Sequence, residues 1–119
     1  MKGVLVIEDN DNNLYLIRFI LEKNGYEVIE ARTGISGVEA AVKEKPDLIL
    51  MDIQLPDING YEATRRIRAS EADGKVPIIA ITSYAMTEDK EKALEAGCTG
   101  YIEKPINPET IIMEIEKYF

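Results

Sequence analysis

The sequence predicts an α/β domain, a parallel sheet with helices packed on both faces. Three observations lead there. Short apolar runs recur along the chain and stop abruptly at polar residues; the sharpest is Leu48-Ile49-Leu50-Met51, which ends in Asp52. A continuous apolar run suits a strand buried on both faces. Between the runs lie stretches of helical spacing bounded by capping residue types. Strand and helix alternate five times, and strict βα alternation calls for parallel strands joined by right-handed crossovers. At 119 residues, with no Pro/Gly/Ser-rich linker and no repeat, the chain reads as one domain spanning residues 1–119.

The elements follow in order. Val4-Leu5-Val6-Ile7 is the first strand and stops at Glu8-Asp9. Polar residues 10–13 start a helix, with Asn13, Leu16, Ile17 and Ile20 at the spacing of one face and expected toward the sheet. Leu14, Tyr15 and Phe19 lie partly off that stripe, which reads equally as a partner surface and as ordinary scattered exposure. Asn24-Gly25 ends the helix. Glu27-Val28-Ile29-Glu30 alternates weakly, as an edge strand does. Thr33-Gly34 opens the second helix, with Val38, Ala41 and Val42 at core spacing and Pro46 at its end. After the third strand, Leu55-Pro56-Asp57-Ile58-Asn59-Gly60 is a loop of turn formers. The third helix runs through Tyr61, Thr64 and Ile67, and its Arg65, Arg66 and Arg68 are expected on a solvated face.

Residues 69–76 form a polar connection to the fourth strand, Pro77-Ile78-Ile79-Ala80-Ile81, which stops at Thr82-Ser83. Thr87-Glu88-Asp89 starts the fourth helix, with acids in the first turn, Ala93 and Leu94 inward and Gly97 as its stop. Gly100-Tyr101-Ile102 is a short fifth strand ending near Lys104-Pro105. Asn107-Pro108 supplies an N-cap and a first-turn proline, and Ile111, Ile112, Ile115 and Tyr118 mark the last helix.

Composition narrows the function. A formal net charge of −8 argues against nucleic-acid binding, which needs a basic surface, and suits a protein that binds cations or meets a basic partner. There is no histidine, which removes Ser-His and Cys-His catalysis and His-ligated metals. Cys98 is the only cysteine, so an intramolecular disulfide is excluded and a cytoplasmic location fits. No signal segment or membrane-length apolar run is present.

The chemistry collects at the strand ends. Glu8, Asp9, Asp52, Thr82 and Lys104 should share one rim, the carboxyl edge where open α/β sheets bind ligands. Each has a plain alternative: helix-capping acids, a strand-end hydroxyl, a solvated lysine. Together they point to a hard divalent cation. Carboxylates crowded together repel one another, and Mg²⁺ relieves that while keeping part of its hydration shell. Lys104 cannot coordinate a cation and would pair with an acid or an anionic oxygen, and Thr82 would donate to the same anion. A cation, a lysine, a hydroxyl and a carboxylate nucleophile fit phosphoryl transfer.

With these residues assembled, the chain resembles the receiver domain of two-component response regulators over essentially its whole length. The matching residues are Glu8-Asp9-Asn10, Asp52 within Leu-Met-Asp-Ile-Gln-Leu-Pro, Gly60, Thr82-Ser83 and Lys104-Pro105. The resemblance implies a doubly wound, flavodoxin-like sheet in the order 2-1-3-4-5. It implies that Asp52 accepts a phosphoryl group from a phosphohistidine on a histidine kinase or histidine phosphotransfer protein. It also implies that Glu8, Asp9, Asp52 and the Gln54 backbone carbonyl hold Mg²⁺. Lys104 would pair with Asp52 and then with the phosphoryl group, Thr82 would bond a phosphoryl oxygen, Tyr101 would be the aromatic switch, and Pro105 would be cis. Glu8 departs from the family's usual Asp, so its contact with the cation would run through water.

The implied function is a phosphorylation-dependent switch that changes its helix-four, strand-five, helix-five face, with Tyr84, Met86, Tyr101 and Ile112, to control a downstream signalling protein. The flank of the first helix, with Leu14, Pro105 and Ile106, is the expected phosphodonor dock. No nucleic-acid or membrane partner is expected. Met1 just before the first strand points to a stand-alone regulator, the alternative being a receiver cut from a hybrid kinase or transcription factor. A Mg²⁺-dependent aspartyl phosphatase is the competing enzyme, but its second acid two residues after the nucleophile is here Gln54. A nucleotide-binding module lacks a Gly-rich loop after the first strand.

Overall fold

The apolar runs form five parallel strands, β1 (Gly3–Ile7), β2 (Glu27–Ala31), β3 (Leu48–Asp52), β4 (Ile78–Thr82) and β5 (Gly100–Glu103), in the order β2-β1-β3-β4-β5. The helices between and after them are α1 (Asp11–Lys23), α2 (Gly34–Glu44), α3 (Gly60–Ser70), α4 (Thr87–Ala96) and α5 (Ile111–Glu116). This computed structural model describes residues 2–70, 76–83 and 87–119. Residues 71–75 of the expected polar connection, and Tyr84 and Met86 of the expected switching face, lie outside the described residues.

Strand pleating divides the core in two. Successive side chains point to opposite faces of a sheet. Val4 and Val6, Leu48 and Leu50, and Ile79 and Ile81 meet Leu14, Ile17, Ile20 and Leu21 of α1 and Ile111 and Ile115 of α5. Leu5 and Ile7, Ile49 and Met51, and Ile78 and Ala80 meet Ala63 and Ile67 of α3 and Ala93 of α4. β3 and β4 are buried along their full length, as continuous apolar runs require, and β2 is an edge strand with an exposed start.

Several helix faces differ from expectation. On α1, Leu14 is buried while Asn13 and Leu16 are only half-buried, so the inward face is Leu14, Ile17, Ile20 and Leu21. Val42 and Leu94 are exposed; Val38 with Ala41 and Ala93 with Ala96 face inward, and each exposed neighbour sits one residue, 100°, further round. Asn107 does cap a turn, its Oδ1 accepting the Glu109 amide at 2.9 Å, but residues 108–110 form that turn and α5 begins only at Ile111. Tyr118 falls past the end of α5 and packs on the core from there. Arg65 and Arg66 are solvated beside Glu62, whereas Arg68 is half-buried and its Nε donates to the Gly97 carbonyl at 2.9 Å. Gly97 itself ends α4 at a φ of 111°, a left-handed conformation that suits glycine.

The start of α2 is tied to the loop after β3. Thr33 caps the helix by accepting the Ser36 amide at 3.0 Å. The two amides before it are taken by Asp57, whose Oδ1 accepts from Gly34 at 2.7 Å and whose Oδ2 accepts from Ile35 at 2.9 Å. The helix thus has partners for amides that a helix start leaves unsatisfied. The Ile35 amide first, and the Ile58 and Gly34 amides with it, lower the Asp57 pKa from 3.8 to about 2 against some desolvation. A carboxyl whose folded pKa is depressed adds stability above its unfolded pKa and loses it as pH falls through the folded value. The melting-temperature difference between wild type and Asp57→Ala is therefore expected to be full above pH 3.8 and to shrink as the pH falls toward about 2. A difference that held constant through that range would show that the Asp57 charge does not stabilise the fold.

Candidate functional site

The carboxyl ends of four strands bring the polar and charged residues together. Glu8 follows β1, and its amide donates to the Ala31 carbonyl at 3.0 Å, carrying the β1–β2 ladder one residue further. Asp52 ends β3 and Thr82 ends β4. Lys104 follows β5 and is fixed by its amide, which donates to the Thr82 carbonyl at 2.7 Å. Asn10 caps α1, and its amide lies 3.4 Å from Glu8 Oε2. Close approach of α3 completes the rim. A Cβ on Gly60 would come within 2.5 Å of the Asp52 carbonyl and 2.7 Å of Ile53 Cα, so α3 packs here only because residue 60 is glycine.

Glu8 is fully buried, Asp52 is 2% exposed and Asp9 is exposed. One carboxylate oxygen from each lies within 4.8 Å of the others. Lys104 Nζ is 3.2 Å from Asp52 Oδ1 and 3.3 Å from Glu8 Oε1. The first contact is a hydrogen bond, as is that from the Gln54 amide to the same Asp52 oxygen at 3.2 Å. The second is an ion pair without hydrogen-bond alignment, which leaves Glu8 Oε1 buried with no hydrogen-bond partner.

The electrostatics follow from this crowding. Burial and then Asp52 push the Glu8 carboxyl above its usual range, against the pull of Lys104 and the Asn10 amide. Burial works against the Lys104 ammonium, but Asp52 and Glu8 outweigh it and its pKa is raised. One cation among three carboxylates leaves the rim short of positive charge. The donor set is all oxygen, partly buried and open to solvent at Asp9, and it contains an unsatisfied buried oxygen at Glu8. Such a set fits a hard divalent cation that keeps some of its water.

Of the sequence-predicted residues, Glu8, Asp9, Asp52 and Lys104 share one cluster, and Thr82 is joined to it through Lys104. Gln54 is tied in by its amide. Tyr101 lies half-buried within β5, opposite Ala80, with Lys90 Nζ of α4 4.8 Å from its ring centroid. The Lys104–Pro105 peptide bond is cis. The expected docking flank needs correction: Leu14 and Ile106 are buried in the core, and the exposed large apolar residues of α1 are Tyr15 and Phe19. Sequence reasoning missed Asp57 and Lys90, because neither partner is near in sequence.

A doubly wound sheet in this order, with this acidic rim, is the arrangement that the resemblance of the sequence implies. The chain belongs to the response regulator receiver domain family, whose model matches residues 4–116. It is 42% identical over 117 residues to the polar-differentiation response regulator DivK of Brucella ovis, covering 98% of this chain and 95% of that one. Among solved structures it is similar to the receiver domain of a sensor histidine kinase from Pseudomonas aeruginosa, which has a magnesium ion coordinated in its active-site cleft. That match has a TM-score of 0.90 and 38% identity and covers 98% of this chain and 96% of that one. It is also similar to the chemotaxis protein CheY4 of Vibrio cholerae, with a TM-score of 0.95 and 28% identity over 100% and 99% of the two chains.

Glu8→Gln removes a buried charge and keeps the shape of the side chain. Without divalent cation, it is expected to raise the melting temperature by about 5 °C, the shift that ~1 kcal/mol gives in a domain of this size. Calorimetry in chelator would check this, and a clear drop would mean that the Glu8 charge stabilises the rim.

Proposed function

We propose that this protein is a phosphorylation switch in which Asp52 is the phosphoacceptor. The supporting observation is a carboxylate 2% exposed, held 3.2 Å from a lysine ammonium and gathered with two further acids at a strand end. An Asp52 oxygen attacks the phosphorus of a phosphohistidine on a histidine kinase or phosphotransfer protein. The P–O bond forms as the P–N bond breaks, and the imidazole nitrogen keeps the electron pair. Asp9 and Asp52, Glu8 directly or through water, and the Gln54 carbonyl would hold Mg²⁺, which offsets charge on the phosphoryl oxygens. The magnesium ion in the Pseudomonas aeruginosa receiver supports that choice of metal.

Lys104 already sits on Asp52 and remains beside the new anion, pairing with a phosphoryl oxygen. Thr82, one strand over, donates its hydroxyl to another phosphoryl oxygen. That shift frees space for Tyr101 and re-packs the α4-β5-α5 face, a two-state element biased by a local change of charge. The re-packed face controls binding of a downstream signalling protein. The relatives include a response regulator and a sensor-kinase receiver, and this unit suits either setting. Among the described residues, no helix is long and apolar enough to cross a membrane, and action in the cytoplasm is part of this reading.

Intact-protein mass after incubation with Mg²⁺ and acetyl phosphate tests the proposal. One phosphoryl adduct is expected on wild type, and none on Asp52→Asn or in chelator. An adduct of equal yield on Asp52→Asn would sink the assignment, and continuous phosphate release over many turnovers would favour a phosphatase instead. Lys104→Ala is expected to blunt the phosphorylation-dependent change while weakening Mg²⁺ binding less. The reverse pattern would remove Lys104 from the switch.

A further inference from the structure

We infer that Asp57 is a positioning residue for the cation site, acting by pinning the loop between β3 and α3. The inference rests on the proposed function, because it concerns how firmly that loop presents Gln54 beside Asp52. Residues 53–59 leave the rim and return to it. At the near end, the Ile53 amide donates to the Ile81 carbonyl at 3.1 Å and the Gln54 amide to Asp52 Oδ1 at 3.2 Å. At the far end, the Gly60 amide donates to the Ile53 carbonyl at 2.8 Å. Asp57 lies between these anchors and spends both carboxylate oxygens on α2, at 2.7 Å and 2.9 Å.

The bonds close a circuit. Glu8 is joined through its amide to Ala31 at the end of β2, and two residues later Thr33 opens α2. The first amides of α2 hold Asp57, whose loop leads back to Gln54 and Asp52, and Lys104 bridges Asp52 to Glu8. Acids from two strands are thereby linked by a path that leaves the sheet after β2 and returns to it at Asp52. Contact reinforces the bonds: a side chain on Gly34 would overlap Ile58, so helix and loop touch with no room for a methyl group.

A purely structural role for Asp57 explains less. Ile35 is exposed, so water can serve its amide, whereas Gly34 is buried against the loop, and Thr33 caps the helix independently. Water can replace Asp57 as the acceptor for Ile35, but it cannot tie the loop to the helix. Metal affinity depends on such supporting contacts because ligands must already be in place when the ion arrives.

The test compares Asp57→Ala with Thr33→Ala, which weakens the same helix start without releasing the loop. Mg²⁺ affinity is measured by calorimetric titration without phosphodonor, alongside melting temperature. Both variants are expected to melt lower than wild type. Only Asp57→Ala is expected to raise the Mg²⁺ dissociation constant, by about tenfold, the low end of losses from supporting residues. Asp57→Glu should recover most of that affinity, and Asp57→Asn, with one acceptor left, should fall between. An unchanged constant in Asp57→Ala, or an equal rise in Thr33→Ala, would overturn the inference while leaving the proposed function standing. A wild-type protein that takes up no Mg²⁺ would overturn both.

Discussion

A single ammonium makes the buried rim tenable. Glu8 and Asp52 are withdrawn from water at the ends of adjacent strands, where two like charges would oppose both folding and each other. Lys104 touches both, and their charges outweigh the burial that opposes its own. The three groups are interdependent. Their balance stays one charge short of neutrality even before Asp9 is counted, and the unsatisfied oxygen of Glu8 is where that deficit shows in the geometry.

The sheet supplies the precision. Parallel strands end on the same side, so residues far apart in sequence meet without any loop having to reach across. Ladder bonds run past the strand ends at Glu8, Ile53 and Lys104, and these carry backbone rigidity into the site itself. Gly60 lets α3 close onto the carbonyl of Asp52, and the two cores hold the sheet from both faces. Rigid elements thus place the acids and the lysine, while Gln54 hangs from a loop whose fixity depends on side-chain bonds.

Much of this was legible in the sequence. β3 and β4 were readable because only a doubly buried strand tolerates such unbroken apolar runs, and alternation then fixed which residues share a rim. The helix faces were harder. In α1, Leu14 and Asn13 are adjacent, and an apolar-rich helix offers two stripes that differ by one residue; packing, rather than spacing, selects Leu14. The same ambiguity hid the exposure of Val42 and Leu94. Long-range side-chain bonds left no local signal at all: Asp57 finds α2 across 22 and 23 residues, and Arg68 finds Gly97 across 29. The resemblance named the site residues, but the orphaned oxygen of Glu8 and the shared reach of Lys104 are facts of three dimensions.

The division of each strand into two faces and an end has an evolutionary consequence. Charge chemistry occupies the strand ends, packing occupies the faces, and the outer surfaces of the helices are committed to neither. Exposed residues such as Tyr15, Phe19, Val42, Leu94 and Met113 can change without disturbing either layer. The similar structures show the result: a chain 28% identical keeps this architecture at a TM-score of 0.95. The outer faces of the helices can therefore change, and with them what such a domain meets, while the sheet and its rim stay as they are.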